Sequence, residues 1–212
     1  MTAALTIPVE IRRSSLMERG GFAVVVGLLG DETLSLLLRE SLECLSTADL
    51  VYASIPDRED VRGGNPARRL RSASGGAVQR ALYGADEMVR MLRQLTGIRT
   101  MPTGQAATYS YYLERGDHLD LHRDIETCDV VVITTLCDHG SADSADGALC
   151  LYPSRWQEKL SAIRASPDNG AVGVRLNVGD TIVMLGGIVP HALLPVSERQ
   201  QRIVSVLCYR AM

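Results

Sequence analysis

The feature that most constrains the fold of this chain is a change of hydrophobic period near residue 100. Before it, apolar residues recur at helical spacing in 31–45 and 86–97, whereas beyond it they form short runs typical of strands. Turn sequences such as Asp138-His-Gly-Ser separate these runs. The predicted strands are 106–113, 130–137, 148–152, 172–177, 181–185, 192–196 and 202–209. Many short strands at this spacing predict a sandwich, jelly roll or barrel.

The helical part does not predict a separate domain. Asp31 is a good N-cap for the first helix, and both helices carry an apolar face that needs a sheet to cover it. A chain of 212 residues can bury one substantial core. We therefore expect a single α+β, mainly β domain over 1–212, with a helical N-terminal part (1–103) packed on a strand-rich core (104–212). Residues 51–75 are rich in Arg, Asp, Gly and Pro, which predicts a long irregular segment.

Composition excludes several classes of function. The net charge is −3 with acidic and basic residues interspersed, so no nucleic-acid partner is expected. No run of about eighteen apolar residues and no secretory signal is evident, which predicts no membrane contact and a cytoplasmic location. The five cysteines lack a Cys-x-x-Cys spacing, and we expect reduced thiols. The oligomeric state is left open.

A tyrosine-rich segment, 109–124, ends in the pair His122-x-Asp124. Residues two apart in a strand point to the same side, so the imidazole and the carboxylate converge. Such a pair is two thirds of the facial triad that holds non-haem Fe(II). A second pair, His118-x-Asp120, has the same spacing.

The third ligand candidate is His191, which lies several predicted strands further along. Arg202 follows at the head of an otherwise apolar strand. A guanidinium is costly to bury without a partner. The carboxylate of a ligand, held through two hydrogen bonds, would supply one.

These motifs together resemble the Fe(II)/2-oxoglutarate-dependent dioxygenases, and the resemblance covers most of the chain. The apolar strand before the leucine-rich helix is similar to the usual entry of that family. The other matching motifs are Tyr111 to Asp124 with Gly116, the strand 146–152, Gly179-Asp180, His191-x-x-x-Pro195-Val196, and Arg202. The resemblance implies a double-stranded β-helix (jelly-roll, cupin-like) core.

The resemblance also implies roles for particular residues. His122, Asp124 and His191 would bind Fe(II). Arg202 would hold the far carboxylate of 2-oxoglutarate, and this contact would be assisted by residues that carry hydroxyl groups, namely Tyr109, Tyr111 or Ser205. Many family members have a hydroxyl residue two positions after the arginine. This chain has Val204 there and Ser205 one position beyond.

The implied activity is hydroxylation of an unactivated C–H bond with O2, coupled to conversion of 2-oxoglutarate to succinate and CO2. A small, amino-acid-like substrate is expected, with its carboxylate bound by Arg68, Arg69 or Arg71 and with Gln105 facing the pocket. The alternatives are a desaturase or cyclase, or a halogenase, on the same scaffold. Asp124 argues against a halogenase, because the related halogenases have a small residue at that position. A non-enzymatic jelly-roll module that binds a ligand is the alternative from a different class.

Overall fold

The computed structural model describes residues 9–56, 62–139 and 145–212, without the side chains of residues 105 and 106. The α-helices are α1 (Val9–Arg12), α2 (Ser15–Glu18), α3 (Asp31–Cys44), α4 (Ala77–Gly84), α5 (Asp86–Thr96) and α6 (Leu160–Arg164). The strands are β1 (Phe22–Val25), β2 (Asp49–Ala53), β3 (Arg68–Ser74), β4 (Thr100–Tyr112), β5 (His118–His122), β6 (Val130–His139), β7 (Leu149–Leu151), β8 (Val172–Val174), β9 (Thr181–Met184), β10 (His191–Leu193) and β11 (Gln201–Ala211). Two short 3-10 turns lie at Leu45–Thr47 and Pro153–Arg155.

Within these ranges the eleven strands form one sheet in the order β1-β9-β6-β11-β4-β3-β5-β10-β7-β8, with β2 paired to β3. Every neighbouring pair is antiparallel. Side chains from β4, β6 and β11 line the same cavity as side chains from β5, β7 and β10, so the sheet curls round on itself. Each of the seven predicted runs overlaps a strand, and the mainly β prediction is confirmed.

The longer helices cover the outer face of the half of the sheet that contains β4, β6 and β11. The two helices predicted from apolar spacing are confirmed as α3 and α5. Leu37 of α3 and Leu92 of α5 are fully buried against this face. Helix α5 ends where Gly97 adopts a left-handed backbone conformation, with φ of 76°. The helices therefore form an outer layer, and the inner face of the curled sheet is free to build a cavity.

The prediction that 51–75 is irregular is wrong at both ends of that segment, where β2 includes residues 51–53 and β3 spans Arg68–Ser74. Strand β3 lies there and pairs with β2, β4 and β5, so backbone hydrogen bonds hold it along both edges. Its charged residues conceal the strand pattern because only Leu70 and Ala73 are buried. Strand pairing of this kind depends on neighbours that local sequence does not reveal.

The expectation of reduced thiols is also corrected. Cys128 and Cys208 form a disulfide, with their Cα atoms 4.9 Å apart, whereas Cys44, Cys137 and Cys150 are free. The pairing of β11 with β6 explains the contact, since it brings Cys208 beside the turn that precedes β6. None of the helices in the described ranges is long and apolar enough to cross a membrane.

Candidate metal centre

Two histidines face each other across neighbouring strands on the inner side of the sheet. His122 ends β5, His191 begins β10, and the antiparallel register places them directly opposite one another. Their ring centroids are 4.2 Å apart. A single strand pairing therefore brings together two histidines that are 69 residues apart in sequence.

Asp124 completes the group from the turn after β5. Its backbone N–H donates to the carbonyl oxygen of Gly186 at 2.9 Å, which fixes the turn against the segment before β10. The Oδ1 atom lies 3.6 Å from Nε2 of His122 and 3.7 Å from Nε2 of His191. One ligand atom from each of the three residues lies within 4.8 Å of the others, which is the spacing that a single metal ion requires.

Both imidazoles present the same nitrogen to this point. Nδ1 of His122 lies 2.8 Å from the carbonyl oxygen of Asp120, and Nδ1 of His191 lies 2.9 Å from that of Val189. A carbonyl can only accept, so we assign the proton of each neutral ring to Nδ1. This leaves the Nε2 lone pair free to bind a metal.

The electrostatics favour the protonation states that bind metal. Burial, together with the neighbouring His122, lowers the pKa of His191 to about 4, so that the ring is neutral at pH 7. Burial alone would favour the neutral form of Asp124, but His191 and His122 outweigh it and the pKa of Asp124 is lowered. The site therefore offers two imidazole nitrogens and one carboxylate, a donor set suited to Fe(II).

The competing pair His118 and Asp120 is not brought into such a group. Nδ1 of His118 contacts the carbonyl oxygen of Gly116, and Oδ2 of Asp120 lies 3.4 Å from Nε of Arg164. Neither residue belongs to the clusters of potential ligands found in the described ranges. Geometry thus separates the two pairs that share one spacing in the sequence.

A cavity of about 110 Å³ opens beside the three residues. This space is several times what one water molecule needs. Leucine, isoleucine and valine side chains form most of its wall. Its polar lining consists of Ser110, Tyr112, His122, Asp124, His191 and Arg202.

Arg202 has a protein partner that the sequence argument did not anticipate. Its Nη1 lies 2.8 Å from Oδ2 of Asp138, and its Nη2 donates to Oγ1 of Thr135 at 3.2 Å. Its Nε is buried and has no hydrogen-bond partner among the described residues. Burial lowers the pKa of Arg202, and the neighbouring Asp138 acts in the opposite direction.

The structure does not bring the other three predicted cosubstrate contacts to the cavity. The hydroxyl of Tyr109 donates to Oε1 of Glu40 at 2.7 Å, and that of Tyr111 donates to the carbonyl oxygen of Ser41 at 2.7 Å. Both tyrosines therefore point toward helix α3, on the outer face of β4. Ser205 accepts a hydrogen bond at 2.8 Å from Gln79, a residue of the outer helix α4.

The hydroxyls that do line the cavity belong to the intervening residues of β4, which sequence reasoning missed. Ser110 and Tyr112 point inward, and Ser110 lies opposite Val204 in the pairing of β4 with β11. Burial raises the pKa of Tyr112, and the neighbouring Arg202 partly offsets this rise, so its hydroxyl is protonated at neutral pH. A hydroxyl absent at Val204 is thus available from the adjacent strand.

Arg62 is a second residue that the sequence argument missed. Its guanidinium binds the turn that carries Asp124, donating to the carbonyl oxygens of Ile125 and Cys128 at 2.8 and 2.9 Å and pairing with Asp129 at 2.8 Å. Its signal in the sequence is faint, since it stands in the polar segment that we read as irregular. These contacts hold the turn that carries Asp124 in place.

The three arginines predicted to meet a substrate lie in different surroundings. Arg69 pairs with Glu114 and Asp117 outside the cavity, and Arg71 is exposed. Arg68 lies opposite Leu119, whose side chain lines the cavity, and the Nε of Arg68 is buried without a partner in the described part of the chain. The prediction for Gln105 concerns a side chain that lies outside the described residues.

Solved structures with this architecture are known. A prolyl hydroxylase from Trichoplax adhaerens, in complex with a hypoxia inducible factor peptide fragment, is 18% identical over 92% of this chain and 85% of its own, with a TM-score of 0.64. A Pseudomonas putida prolyl-4-hydroxylase is 17% identical over 92% of this chain and 95% of its own, with a TM-score of 0.58. The non-haem α-ketoglutarate-dependent epimerase SnoN of nogalamycin biosynthesis is 14% identical over 92% and 83%, with a TM-score of 0.59.

These likenesses show the fold of the chain, a double-stranded β-helix of the kind found in non-haem 2-oxoglutarate-dependent oxygenases. The architecture that the family resemblance implied is confirmed. No family model matches the sequence, and no curated protein matches it.

Proposed function

We propose that this chain is an Fe(II)- and 2-oxoglutarate-dependent oxygenase that hydroxylates a small, amino-acid-like metabolite. The observation that carries the proposal is the convergence of His122, Asp124 and His191 on one point at the wall of the cavity. Two imidazole nitrogens and a carboxylate oxygen within 4.8 Å of one another are the donor set and spacing of a facial metal triad.

The three side chains fit Fe(II) in chemistry as well as in spacing. Their ligand atoms come from one side, from β5, its following turn and β10, which leaves the cavity side open for other ligands. Carbonyl contacts fix both rings, and Gly186 and Arg62 fix the Asp124 turn. A site held in this way needs little rearrangement when the metal binds.

The cavity fits 2-oxoglutarate at its other polar end. A buried guanidinium with an unused Nε–H suits the far carboxylate of a dicarboxylic acid. The hydroxyls of Ser110 and Tyr112 lie in the same wall, and the aliphatic lining suits the methylene groups. When bound, Fe(II) and 2-oxoglutarate supply the oxidising chemistry, in which O2 is consumed and 2-oxoglutarate becomes succinate and CO2. The chain's own part is to orient these groups and to exclude water.

Asp124 bears on the type of reaction. A carboxylate at this position fills the place that a halide needs in the related halogenases, so hydroxylation is favoured over halogenation. Of the solved structures named above, two are prolyl hydroxylases and one is an epimerase. A desaturase or cyclase would use the same protein groups, and the mass of the product distinguishes these outcomes.

Arg68 is the arginine best placed to bind a substrate carboxylate. It is a neighbour of the cavity wall through Leu119, and part of its guanidinium is unused. Arg69 is already paired with two carboxylates. A substrate with one free carboxylate, such as an amino acid or its derivative, would supply the missing acceptor.

The test is an anaerobic titration with Fe(II) and 2-oxoglutarate, followed through the weak visible charge-transfer band of the complex. We expect the band in the wild type and in the control variant His118→Ala, and its loss in His122→Ala and His191→Ala. A folded wild type without the band, or a band that persists in His191→Ala, would refute the proposal. Succinate release against a panel of amino acids and their derivatives then identifies the substrate.

A further inference from the structure

Behind the cavity lies a buried carboxylate shared by two arginines. Oδ2 of Asp138 pairs with Nη1 of Arg202 at 2.8 Å, and Oδ1 pairs with Nη2 of Arg175 at 3.1 Å. Gln200 adds an amide hydrogen bond to Oδ1 at 3.2 Å. The side chains of Asp138 and Arg202 are only 7% and 1% exposed, so this one pair is formed almost without solvent.

Strand pairing fixes this arrangement. Asp138 near the end of β6 lies directly opposite Arg202 at the start of β11. Their side chains therefore meet because of the sheet register rather than through a mobile loop. Thr135, also on β6, holds a second nitrogen of the same guanidinium.

The contacts leave the Nε–H of the guanidinium unused. An arginine carries five N–H groups in a planar fork, and its Nε–H and one Nη2–H point to the same side. Asp138 occupies Nη1, Thr135 takes one hydrogen of Nη2, and Nε has no partner in the described ranges. The Nε–H, together with the second hydrogen of Nη2, can therefore donate to an incoming carboxylate.

We propose that Asp138 is a positioning residue that holds Arg202 so that its Nε–Nη2 edge receives the far carboxylate of the cosubstrate. This inference rests on the function proposed above. It differs from the simplest electrostatic reading, in which Asp138 is a competing anion that weakens cosubstrate binding. The two readings predict opposite changes in 2-oxoglutarate affinity. Removal of Asp138 raises the positive charge of the pocket, which would strengthen binding, but it also frees the guanidinium to move, which would weaken binding.

The experiment measures 2-oxoglutarate binding by anaerobic calorimetry to the Mn(II)-loaded protein, and Mn(II) binding separately. In Asp138→Asn we expect affinity for 2-oxoglutarate to fall at least 10-fold although the pocket gains positive charge, while Mn(II) affinity stays within about threefold of wild type. The matched control is Asp117→Asn. This residue is also a buried aspartate paired with an arginine, but it lies outside the cavity wall, and its replacement leaves 2-oxoglutarate affinity within threefold.

Unchanged or tighter 2-oxoglutarate binding in folded Asp138→Asn overturns the inference. If that variant does not fold, as judged by circular dichroism, Asp138→Glu decides. It keeps the charge but shifts the carboxylate by one methylene, so positioning predicts a loss of threefold or more and a purely electrostatic role predicts none. Absence of 2-oxoglutarate binding in the wild type would instead contradict the proposed function, and the two failures are thereby distinguished.

Discussion

Gly186 lies so close to Asp124 that even the smallest side chain does not fit between them. A Cβ atom added at Gly186 would stand 1.8 Å from Oδ2 of Asp124 and 2.9 Å from a methyl carbon of Val131. Ordinary contact for such an atom begins at 3.4 Å, so the carboxylate must move by about 1.6 Å. The variant Gly186→Ala therefore displaces a proposed ligand without replacing any of the three.

The expected loss of metal affinity follows from this displacement. Metal–ligand distances tolerate deviations of only about 0.2 Å. Changes to residues that support a ligand typically cost about 10- to 100-fold in metal affinity. We expect the upper end, about 100-fold, or about 2.8 kcal/mol of binding free energy, because each factor of ten is about 1.4 kcal/mol.

Calorimetric titration with Mn(II) measures this effect, and thermal unfolding checks that the variant folds. Gly173→Ala is the matched control, since a Cβ there meets no atom within 4 Å, and it should bind Mn(II) as the wild type does. A folded Gly186→Ala that binds Mn(II) within threefold of wild type would show that Asp124 is not a ligand, or that the turn yields freely.

Three further predictions concern the layers around the site. Tyr109→Phe removes a hydrogen bond to the carboxylate of Glu40 and should lower the free energy of unfolding by about 2 kcal/mol without changing 2-oxoglutarate affinity. Ser110→Ala should lower the affinity for 2-oxoglutarate without changing the free energy of unfolding. Calorimetry and denaturant titration of both variants would show whether Tyr109 and Ser110 are assigned to the correct faces of β4. The pKa of His191 is about 6.5 in the unfolded chain and about 4 in the folded protein. As the pH falls from 6.5 to 4, the unfolded chain therefore binds this proton first, and the metal-free protein should lose up to about 3 kcal/mol of stability. His191→Asn should weaken this dependence on pH. Cys208→Ser should cost about 2–4 kcal/mol in unfolding without reductant, and a reductant should bring the wild type to the same value.

Much of the fold could be predicted because the relevant signals are local. The helix near Asp31 and the helix that ends at Gly97 follow from apolar spacing, and both are present with nearly the predicted bounds. The N-cap predicted at Asp31 is wrong, because Gly30 holds that position and Asp31 is the first residue of the helix. The strands after residue 100 follow from compact apolar runs. Strand β3 was missed because its stability comes from backbone pairing on two edges rather than from an apolar pattern.

Some features of the site could likewise be predicted from local sequence, whereas others depend on distant parts of the chain. The alternation of Tyr109, Ser110, Tyr111 and Tyr112 was evident, but a period of two does not say which set faces inward. The helices on the outer face decide it, since they supply Glu40 as the partner of Tyr109.

The position of Asp138 could not be predicted from local sequence. It follows an apolar run and looks like the start of a turn, yet strand register places it against Arg202 in the interior. Arg202 is buried and does pair with a carboxylate, as expected of a buried arginine. A carboxylate of the chain itself meets that need on one edge of the guanidinium, and the unused Nε leaves room for a second.

His122, Asp124 and His191 are proposed to hold a metal, and Arg202 is proposed to bind the cosubstrate. A crystal structure of the protein grown anaerobically with Mn(II) and 2-oxoglutarate decides both points. We predict Mn(II) bound by Nε2 of His122, a carboxylate oxygen of Asp124 and Nε2 of His191, with the far carboxylate of 2-oxoglutarate on the Nε–Nη2 edge of Arg202. Mn(II) bound elsewhere, or 2-oxoglutarate bound away from Arg202, would contradict the account.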